Sequence, residues 1–422
     1  MVGGVIARAL CVGAVVVLGA CKRDGDAQAS GPYADKVAAA IPKIEKATGL
    51  KFKTPPKVEK RTKDEVRSFL TQRFKEELPA EELAGMARVY KRFGLLPDTM
   101  DLEKFMLELL SEQVVGYYDP KAKVLYVVEG ADEQMVSVTI SHELIHALQD
   151  QYFNLDSLQS ARDNNDRSSA AQAVIEGQAT LEQIGAMVGD NFATRLPGGW
   201  DRVRQMIRES QSTMPVFASA PMLLQETLIF PYLSGAEFMR KFKDKYPGKA
   251  PYEQMPTSTE QIMHDDRYFV DRRDEPTEVT LPAPKTGKVV FENNLGEFET
   301  RLLLFEYLRD QPTAVRGAAG WDGDRYQLVD VGRGEALSWL TVWDTSIDAA
   351  EFFSDLDIGI VKHYAAVTPK QASPELHTYK VGGRTMSVAI GEVGGRSVVL
   401  FSDVPDGVTA QLIDLRRVTL KE

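Results

Sequence analysis

The amino-acid sequence predicts an α+β protein. A mainly helical domain with a small sheet, over residues 46–284, precedes a smaller α+β domain with an antiparallel sheet, over residues 285–422. Apolar residues recur at helical spacing through most of the first part, whereas strand-like and helix-like segments alternate in the second. With 43% apolar and 26% charged residues among 422, the composition is that of a globular protein of about two or three domains.

Residues 1–20 comprise a thinly basic start and an apolar run too short to span a bilayer comfortably, which predicts a signal peptide. The run ends in Leu-Gly-Ala-Cys21, which resembles the lipobox of bacterial lipoproteins. The resemblance implies that Cys21 becomes the lipidated first residue of the mature chain. The alternative is an ordinary secretory signal with an unrelated Cys. An Asp after the lipidated Cys is the usual mark for inner-membrane retention, so Lys22 favours the outer membrane.

Residues 21–45 are predicted to tether the fold to the membrane, because their first part is small and polar. The only other cysteine, Cys11, lies in the signal peptide, so the mature chain has no disulfide and depends on core packing or a metal. A net charge of −11 argues against a nucleic-acid partner. No later stretch is long and apolar enough for a transmembrane helix.

The predicted elements of the first domain follow from periodicity. Residues 62–74 and 102–110 carry apolar residues on one helical face. Residues 123–129 are β-branched and aromatic, which predicts a strand. Two helices then follow that strand, over residues 133–151 and 168–188, because apolar residues recur at helical spacing without Pro.

A further helix is predicted over residues 221–246, with Pro231 kinking it or splitting it at the preceding residue. Ser258 and Gln261 have the spacing of a capping box, which predicts a short helix that carries His264. These elements complete the predicted first domain.

The domain boundary is placed at residues 284–287, within a stretch rich in charge, Pro and Thr. No catalytic motif follows it. Helix-like and strand-like segments are predicted at 295–309, 325–331, 336–343, 346–353, 378–381, 386–390 and 398–402.

The motif that carries chemistry is His142-Glu143-Leu-Ile-His146, inside the helix predicted over residues 133–151. Two histidines four residues apart project from one helix face and can bind a single zinc ion. Glu143 lies about 100° around the helix from His142, so it points beside the metal, as a general base requires. The alternative is a pair of solvated histidines.

A hydrolytic zinc site usually has three protein ligands and leaves the fourth position to water. Glu176 lies on the next predicted helix, where the small residues Gly177 and Ala179 allow that helix to approach the first closely. Other acidic candidates are Glu182, Asp163 and Asp166.

These residues resemble the gluzincin metallopeptidases, which share HExxH and a downstream Glu on a helix, here Glu176 within Glu-Gly-x-Ala. The resemblance covers about residues 124–189. It implies a zincin-like fold, one catalytic zinc, and a protein or peptide substrate that pairs with an antiparallel edge strand. By position, residues 123–129 match that strand.

The chain departs from the thermolysin-like pattern at Thr180, where an Asp follows the ligand Glu by four. The hydrogen-bond partner of a ligand histidine therefore stays open, with Asp150 and Asp119 as candidates.

The resemblance further implies a His or Tyr that stabilises the oxyanion. His264 is preferred, because it begins a loop-rich stretch after the second helix pair, and Tyr268 and Tyr232 are the alternatives. The expected function is that of a membrane-tethered zinc peptidase of the cell envelope. The alternatives are a lipoprotein that binds zinc without catalysis and a hydrolase of a non-peptide amide such as a cell-wall cross-link.

Overall fold

A computed structural model describes residues 31–153, 155, 163–188, 202, 205, 208–209, 213–365, 371–409 and 412–421. The predicted signal peptide and the lipidation at Cys21 lie outside the described residues. Within the described ranges, no helix is both long and apolar enough to cross a membrane. This part of the chain is an α+β structure, as the sequence predicts, and its sheets are mainly antiparallel.

Helices and strands alternate along the chain in several blocks. The helices are α1 (Ala34–Thr48), α2 (Lys63–Glu77), α3 (Ala80–Arg92), α4 (Leu102–Gln113), α5 (Glu133–Tyr152), α6 (Asn165–Val188), α7 (Pro215–Ser219), α8 (Met222–Lys245), α9 (Thr259–Met263), α10 (Asp265–Tyr268), α11 (Gly296–Leu308), α12 (Gln311–Ala318) and α13 (Ser346–His363). The strands are β1 (Lys57–Arg61), β2 (Gly116–Asp119), β3 (Val124–Val128), β4 (Glu278–Thr280), β5 (Lys288–Asn293), β6 (Trp321–Asp330), β7 (Glu335–Trp343), β8 (Gln371–Ser373), β9 (Leu376–Val381), β10 (Arg384–Val393), β11 (Arg396–Pro405) and β12 (Thr419–Lys421).

The predicted tether is shorter than residues 21–45, because α1 begins at Ala34. Its apolar residues Val37 and Ile44 are fully buried in a cluster that includes Leu144 and Leu148 of α5. Burial of these side chains outweighs the Pro42 within the helix. The prediction of a tether up to residue 45 is therefore wrong over its last part.

A three-stranded sheet precedes α5 and has the order β1-β3-β2. Strand β3 is parallel to β1 and antiparallel to β2, so it is the central strand. The prediction that residues 123–129 form the edge strand is therefore wrong, and β2 is the edge strand on the side of α5. The prediction failed because it did not include β1, whose residues pair with β3 residues 67 positions further along the chain.

Helix α8 runs without interruption from Met222 to Lys245, although Pro231 lies within it. A Pro inside a helix costs about 3 kcal/mol. Most residues of α8 are buried, among them Phe230, Leu233 and Phe238. This packing compensates for the backbone hydrogen bond that Pro231 cannot make. The alternative of a split at Phe230 is thus wrong.

Seven strands form the antiparallel sheet of the second part, in the order β5-β6-β7-β11-β10-β9-β8. Helix α13 packs on this sheet against β7, β10 and β11. The antiparallel sheet is confirmed. The segment predicted at 346–353 extends as a helix to His363, because apolar residues on one face, among them Phe352 and Ile360, continue to be buried.

Packing joins the two predicted domains. Phe93, the residue after α3, lies edge-on to Trp339, with ring centroids 5.2 Å apart, and stacks on Phe401 at 5.9 Å. Strand β4 lies before the predicted boundary at 284–287, yet it pairs with β12 and buries Val279 beside Leu340. One apolar core therefore continues from the helices into the seven-stranded sheet.

Candidate metal centre

His142 and His146 lie one helical turn apart on α5, and Glu176 faces them from α6. The Nε2 atom of His142 is 3.1 Å from the Nε2 atom of His146 and 3.1 Å from Oε2 of Glu176. Nε2 of His146 lies 3.3 Å from the same carboxylate oxygen. Three donor atoms thus form a nearly equilateral triangle.

The shape of this triangle fits a zinc ion. Bonds of about 2.0–2.2 Å in a tetrahedral site place the donor atoms about 3.3–3.6 Å apart, and the observed sides of 3.1 to 3.3 Å are within a few tenths of an ångström. His146 and Glu176 are almost completely buried, at 1% exposure each. The side chain of His142 is 13% exposed, so the centre is not fully closed to solvent.

The protons on the two rings are set by glutamine side chains. Nδ1 of His142 lies 3.2 Å from Oε1 of Gln183, and Nδ1 of His146 lies 2.8 Å from Oε1 of Gln149. An amide oxygen only accepts, so each Nδ1 carries a hydrogen. The facing Nε2 atoms cannot both carry hydrogens at 3.1 Å. In the neutral rings, with hydrogen on Nδ1, each Nε2 atom therefore has a free lone pair, and both face a common point.

Burial by itself would raise the pKa of Glu176, but the adjacent His146 and His142 outweigh it when their rings are protonated and donate to this carboxylate. The pKa of Glu176 is consequently held well below its ordinary value. An ionised carboxylate between two imidazoles is a ligand set that zinc favours.

Glu143 lies beside the triangle and belongs to the same helix turn. Its side chain is buried, and its Oε2 accepts a hydrogen bond of 2.9 Å from the backbone N–H of Tyr118 in β2. Burial raises the pKa of Glu143, and the nearby histidines oppose that rise. The edge strand thus positions a carboxylate whose affinity for a proton is increased, as a general base needs.

Two glycines allow α6 and α8 to pack closely next to Glu176. A Cβ on Gly177 would lie 2.1 Å from the backbone carbon of Gly235 in α8, and a Cβ on Gly235 would lie 2.0 Å from the carbonyl oxygen of Ala173. Gly177 therefore allows α6 to approach α8, and the prediction that it allows α6 to approach α5 is wrong. Ala179 does pack with the apolar residues of α5.

The close crossing of α6 and α8 places the ring of Tyr232 beside that of His142. Its ring centroid is 6.0 Å from that of His142, with the planes 35° apart. Of the three residues proposed to stabilise an oxyanion, Tyr232 is the one that contacts a ligand.

His264 and Tyr268 are hydrogen-bonded to other residues. Nε2 of His264 is hydrogen-bonded to Glu297 at 2.8 Å, and this interaction raises the pKa of His264. The hydroxyl of Tyr268 donates to the carbonyl of Gln254. Neither bond involves a member of the triangle, so Tyr232, and not the preferred His264, is the candidate that the structure brings to it. The position of His264 along the chain suggested this role, but its side chain packs beside α11, which carries Glu297.

The predicted partners of the ligand histidines are also corrected. Asp150 accepts from the Tyr118 hydroxyl at 3.0 Å and pairs with Lys123 at 2.6 Å. Asp119 pairs with Arg73 at 3.2 Å. Glutamines take the role instead, and a sequence signal for them exists: Gln149 follows His146 by three, and Gln183 follows Glu176 by seven, so each lies on the same helix face as a ligand.

The other acidic residues considered as third ligands have different partners. Glu182 pairs with Lys243, with both carboxylate oxygens at 3.1 Å. Asp166 accepts from the backbone N–H of Thr259 at 3.0 Å. The carbonyl of Asp163 accepts from Arg325 at 2.6 Å. Glu176 is the acidic residue that the structure brings to the two histidines.

A second acidic cluster comprises Glu260, Asp274 and Asp344. The guanidinium of Arg267 lies among them: Nε is 3.6 Å from Glu260, Nη2 is 2.7 Å from Asp344, and Nη1 contacts Asp274. An arginine therefore supplies the positive charge in this cluster.

Comparison with known proteins gives one family match. Residues 283–410 match the family described as a domain of unknown function, DUF8575. This stretch contains β5 to β11 of the seven-stranded sheet and lies outside the segment that carries His142, His146 and Glu176. No curated protein and no solved structure matches the chain significantly.

Proposed function

We propose that the chain is a zinc-dependent peptidase of the bacterial cell envelope, with a zincin-like fold in its helical part. His142, His146 and Glu176 hold the zinc, and Glu143 is the general base. This proposal rests on three donor atoms that lie within 3.3 Å of one another. The residue next to His142, Glu143, adds a buried carboxylate beside them. When bound, zinc supplies Lewis acidity toward a carbonyl and lowers the pKa of water.

The chain's own residues perform the proton transfers. Glu143, oriented by the Tyr118 N–H, accepts a proton from the attacking water and later passes it to the leaving amine. Tyr232 faces the same centre from α8 and donates to the oxyanion. In this proposal the extended substrate lies along β2, the edge strand, since its backbone already contacts the base.

The presence of Glu143 favours catalysis over a structural zinc site, because a structural site is closed by four protein ligands and has no use for a carboxylate beside it. The partial exposure of His142 agrees with an open position.

The test measures bound zinc and cleavage of casein or a peptide library by the full chain in detergent. Glu143→Gln is expected to retain zinc and to lose about 10²–10⁴-fold in activity. Glu176→Gln is expected to lose zinc. The matched control is Glu182→Gln, on the same helix but paired with Lys243, which is expected to retain both zinc and activity.

Three results would count against the proposal. Full activity in Glu143→Gln would remove the role of the base. A wild-type chain that binds zinc but cleaves nothing would favour the alternative, a lipoprotein that binds zinc without catalysis. A wild-type chain that binds no zinc would overturn the metal site itself.

The membrane anchor needs a separate test. We propose that Cys21 is lipidated and that the protein is held at the outer membrane, facing the periplasm or the cell surface. Cys21→Ser is expected to move the protein from the membrane fraction to the soluble fraction without a change in specific activity. Retention of the Cys21→Ser protein in the membrane fraction would contradict a lipid anchor.

A further inference from the structure

Each of the three metal-ligating side chains is held by the amide of a glutamine. Gln183 accepts from Nδ1–H of His142 at 3.2 Å, and Gln149 accepts from Nδ1–H of His146 at 2.8 Å. Gln172 donates to the second carboxylate oxygen of Glu176 at 3.0 Å. We call Gln149, Gln172 and Gln183 the glutamine triad.

The orientation of the amides is determined by their other partners. The Nε2 group of Gln149 donates to the carbonyl of Ile175 at 3.1 Å and to Oε1 of Gln178 at 2.9 Å. The hydroxyl of Tyr252 also donates to Oε1 of Gln178. A reversed Gln149 amide would place its oxygen against two acceptors and its N–H groups against Nδ1 of His146, so the observed orientation is strongly favoured.

The same reasoning applies to the second histidine. Nε2 of Gln183 donates to the carbonyl of Val138 at 3.1 Å, which leaves Oε1 to accept from His142. Gln149 and Gln172 are almost completely buried, so water does not readily replace these bonds.

We propose that the glutamine triad positions the metal ligands: Gln149 and Gln183 hold both histidines in the tautomer whose Nε2 is free to bind metal, and Gln172 orients Glu176. This inference rests on the proposed zinc site. All three groups are neutral, so they orient the ligands without adding negative charge. Carboxylates in their place would make the imidazoles more basic and the loaded site less positive.

The first test measures zinc affinity by competition with a chromophoric chelator. Gln149→Met and Gln183→Met keep the length of the side chain and remove the acceptor, and each is expected to weaken zinc binding about 10–100-fold. The matched control is Gln225→Met in α8, whose amide donates to the backbone carbonyl of Ala220 at 2.9 Å. It is expected to lower stability and to leave zinc affinity unchanged.

A conservative variant separates positioning from general stability. Gln183→Glu keeps an acceptor for His142 at a partly exposed position and is expected to bind zinc at least as tightly as the wild type. The absorption of the Co²⁺-substituted protein is expected to change in Gln149→Met and Gln183→Met but to stay the same in Gln225→Met. Wild-type affinity and Co²⁺ spectra in both triad variants would overturn the inference.

The tautomers are tested without metal by long-range ¹H–¹⁵N NMR of the histidine rings. The metal-free wild type is expected to show hydrogen on Nδ1 of His142 and His146, and Gln149→Met is expected to lose that preference at His146. If the wild type shows hydrogen on Nε2 of both rings, the inference fails. If the Nδ1–H tautomers are present but no zinc binds, the proposed function fails and the inference about tautomers stands.

Discussion

Replacing Gly177 by Ala tests whether the close crossing of α6 and α8 sets the geometry of the metal centre. The added Cβ would lie 2.1 Å from the backbone carbon of Gly235, 2.4 Å from its oxygen and 2.6 Å from its Cα. Ordinary contact begins at 3.4 Å, so the helices must separate locally by about 1.3 Å. The obstacle is backbone, which cannot rotate away as a side chain can.

The expected cost in stability has two opposing parts. Overpacking destabilises by about 1–3 kcal/mol, whereas Ala in a helix is favoured over Gly by about 1 kcal/mol. The net effect on the free energy of unfolding is therefore expected to be small, at most about 2 kcal/mol.

The effect on activity is expected to be larger. Glu176, the proposed ligand, is the neighbouring residue, and α8 carries Tyr232, the proposed oxyanion donor, so separation of the helices displaces both together. A misplacement of about 1 Å near reacting groups costs about 10²-fold in rate. We therefore expect Gly177→Ala to reduce kcat/KM about 10²-fold and to weaken zinc binding.

The assay combines urea unfolding, zinc competition and kcat/KM for peptide cleavage. Gly359→Ala is the control, because a Cβ there meets Cβ of Tyr307 at 2.9 Å in another part of the chain. It is expected to change stability and to leave zinc affinity and kcat/KM unaltered. Wild-type kcat/KM in a folded Gly177→Ala protein would refute the role given to this crossing.

Three further predictions concern single side chains. Tyr232→Phe is expected to lower kcat about 10²-fold without a change in zinc affinity, and an unchanged kcat would exclude an oxyanion role. Arg267→Met removes the cation that contacts Asp274 and Asp344 and is expected to lower the free energy of unfolding by about 1–3 kcal/mol in urea titrations; wild-type stability would contradict this. Burial raises the pKa of Asp166 to about 8, above the ordinary 3.8. As the pH rises from about 3.8 to about 8, Asp166 ionises in the unfolded chain before it does in the folded protein, so the free energy of unfolding should fall over this range. The stability of Asp166→Asn relative to the wild type should therefore rise as pH increases through that range, and a pH-independent difference would contradict the shifted pKa.

The sequence predicts most of the helices and the sheet of the second part. Residues 133–151 and 168–188 are predicted as helices, and the structure has Glu133–Tyr152 and Asn165–Val188. Local periodicity succeeds here because one face of each element is buried, and burial repeats with the period of the element itself. The spacing of His142 and His146 is of the same kind, since the geometry within one helix places them on one face.

Contacts between elements follow other rules. The pairing of β1 with β3 made β3 the central strand, and the contact of Gly177 with Gly235 brought the ring of Tyr232 close to that of His142. Periodicity along one element carries no information on which distant element packs against it.

What the sequence alone determined is the chemistry on one helix turn: two histidines on one face and a carboxylate beside them. The tertiary structure decided that Glu176 faces them, and not Glu182, and that Gln149 and Gln183, and not aspartates, hold the rings. The physical reason is that an α-helix sets the spacing of its own side chains, whereas the partner that satisfies a buried polar atom depends on how separate helices pack.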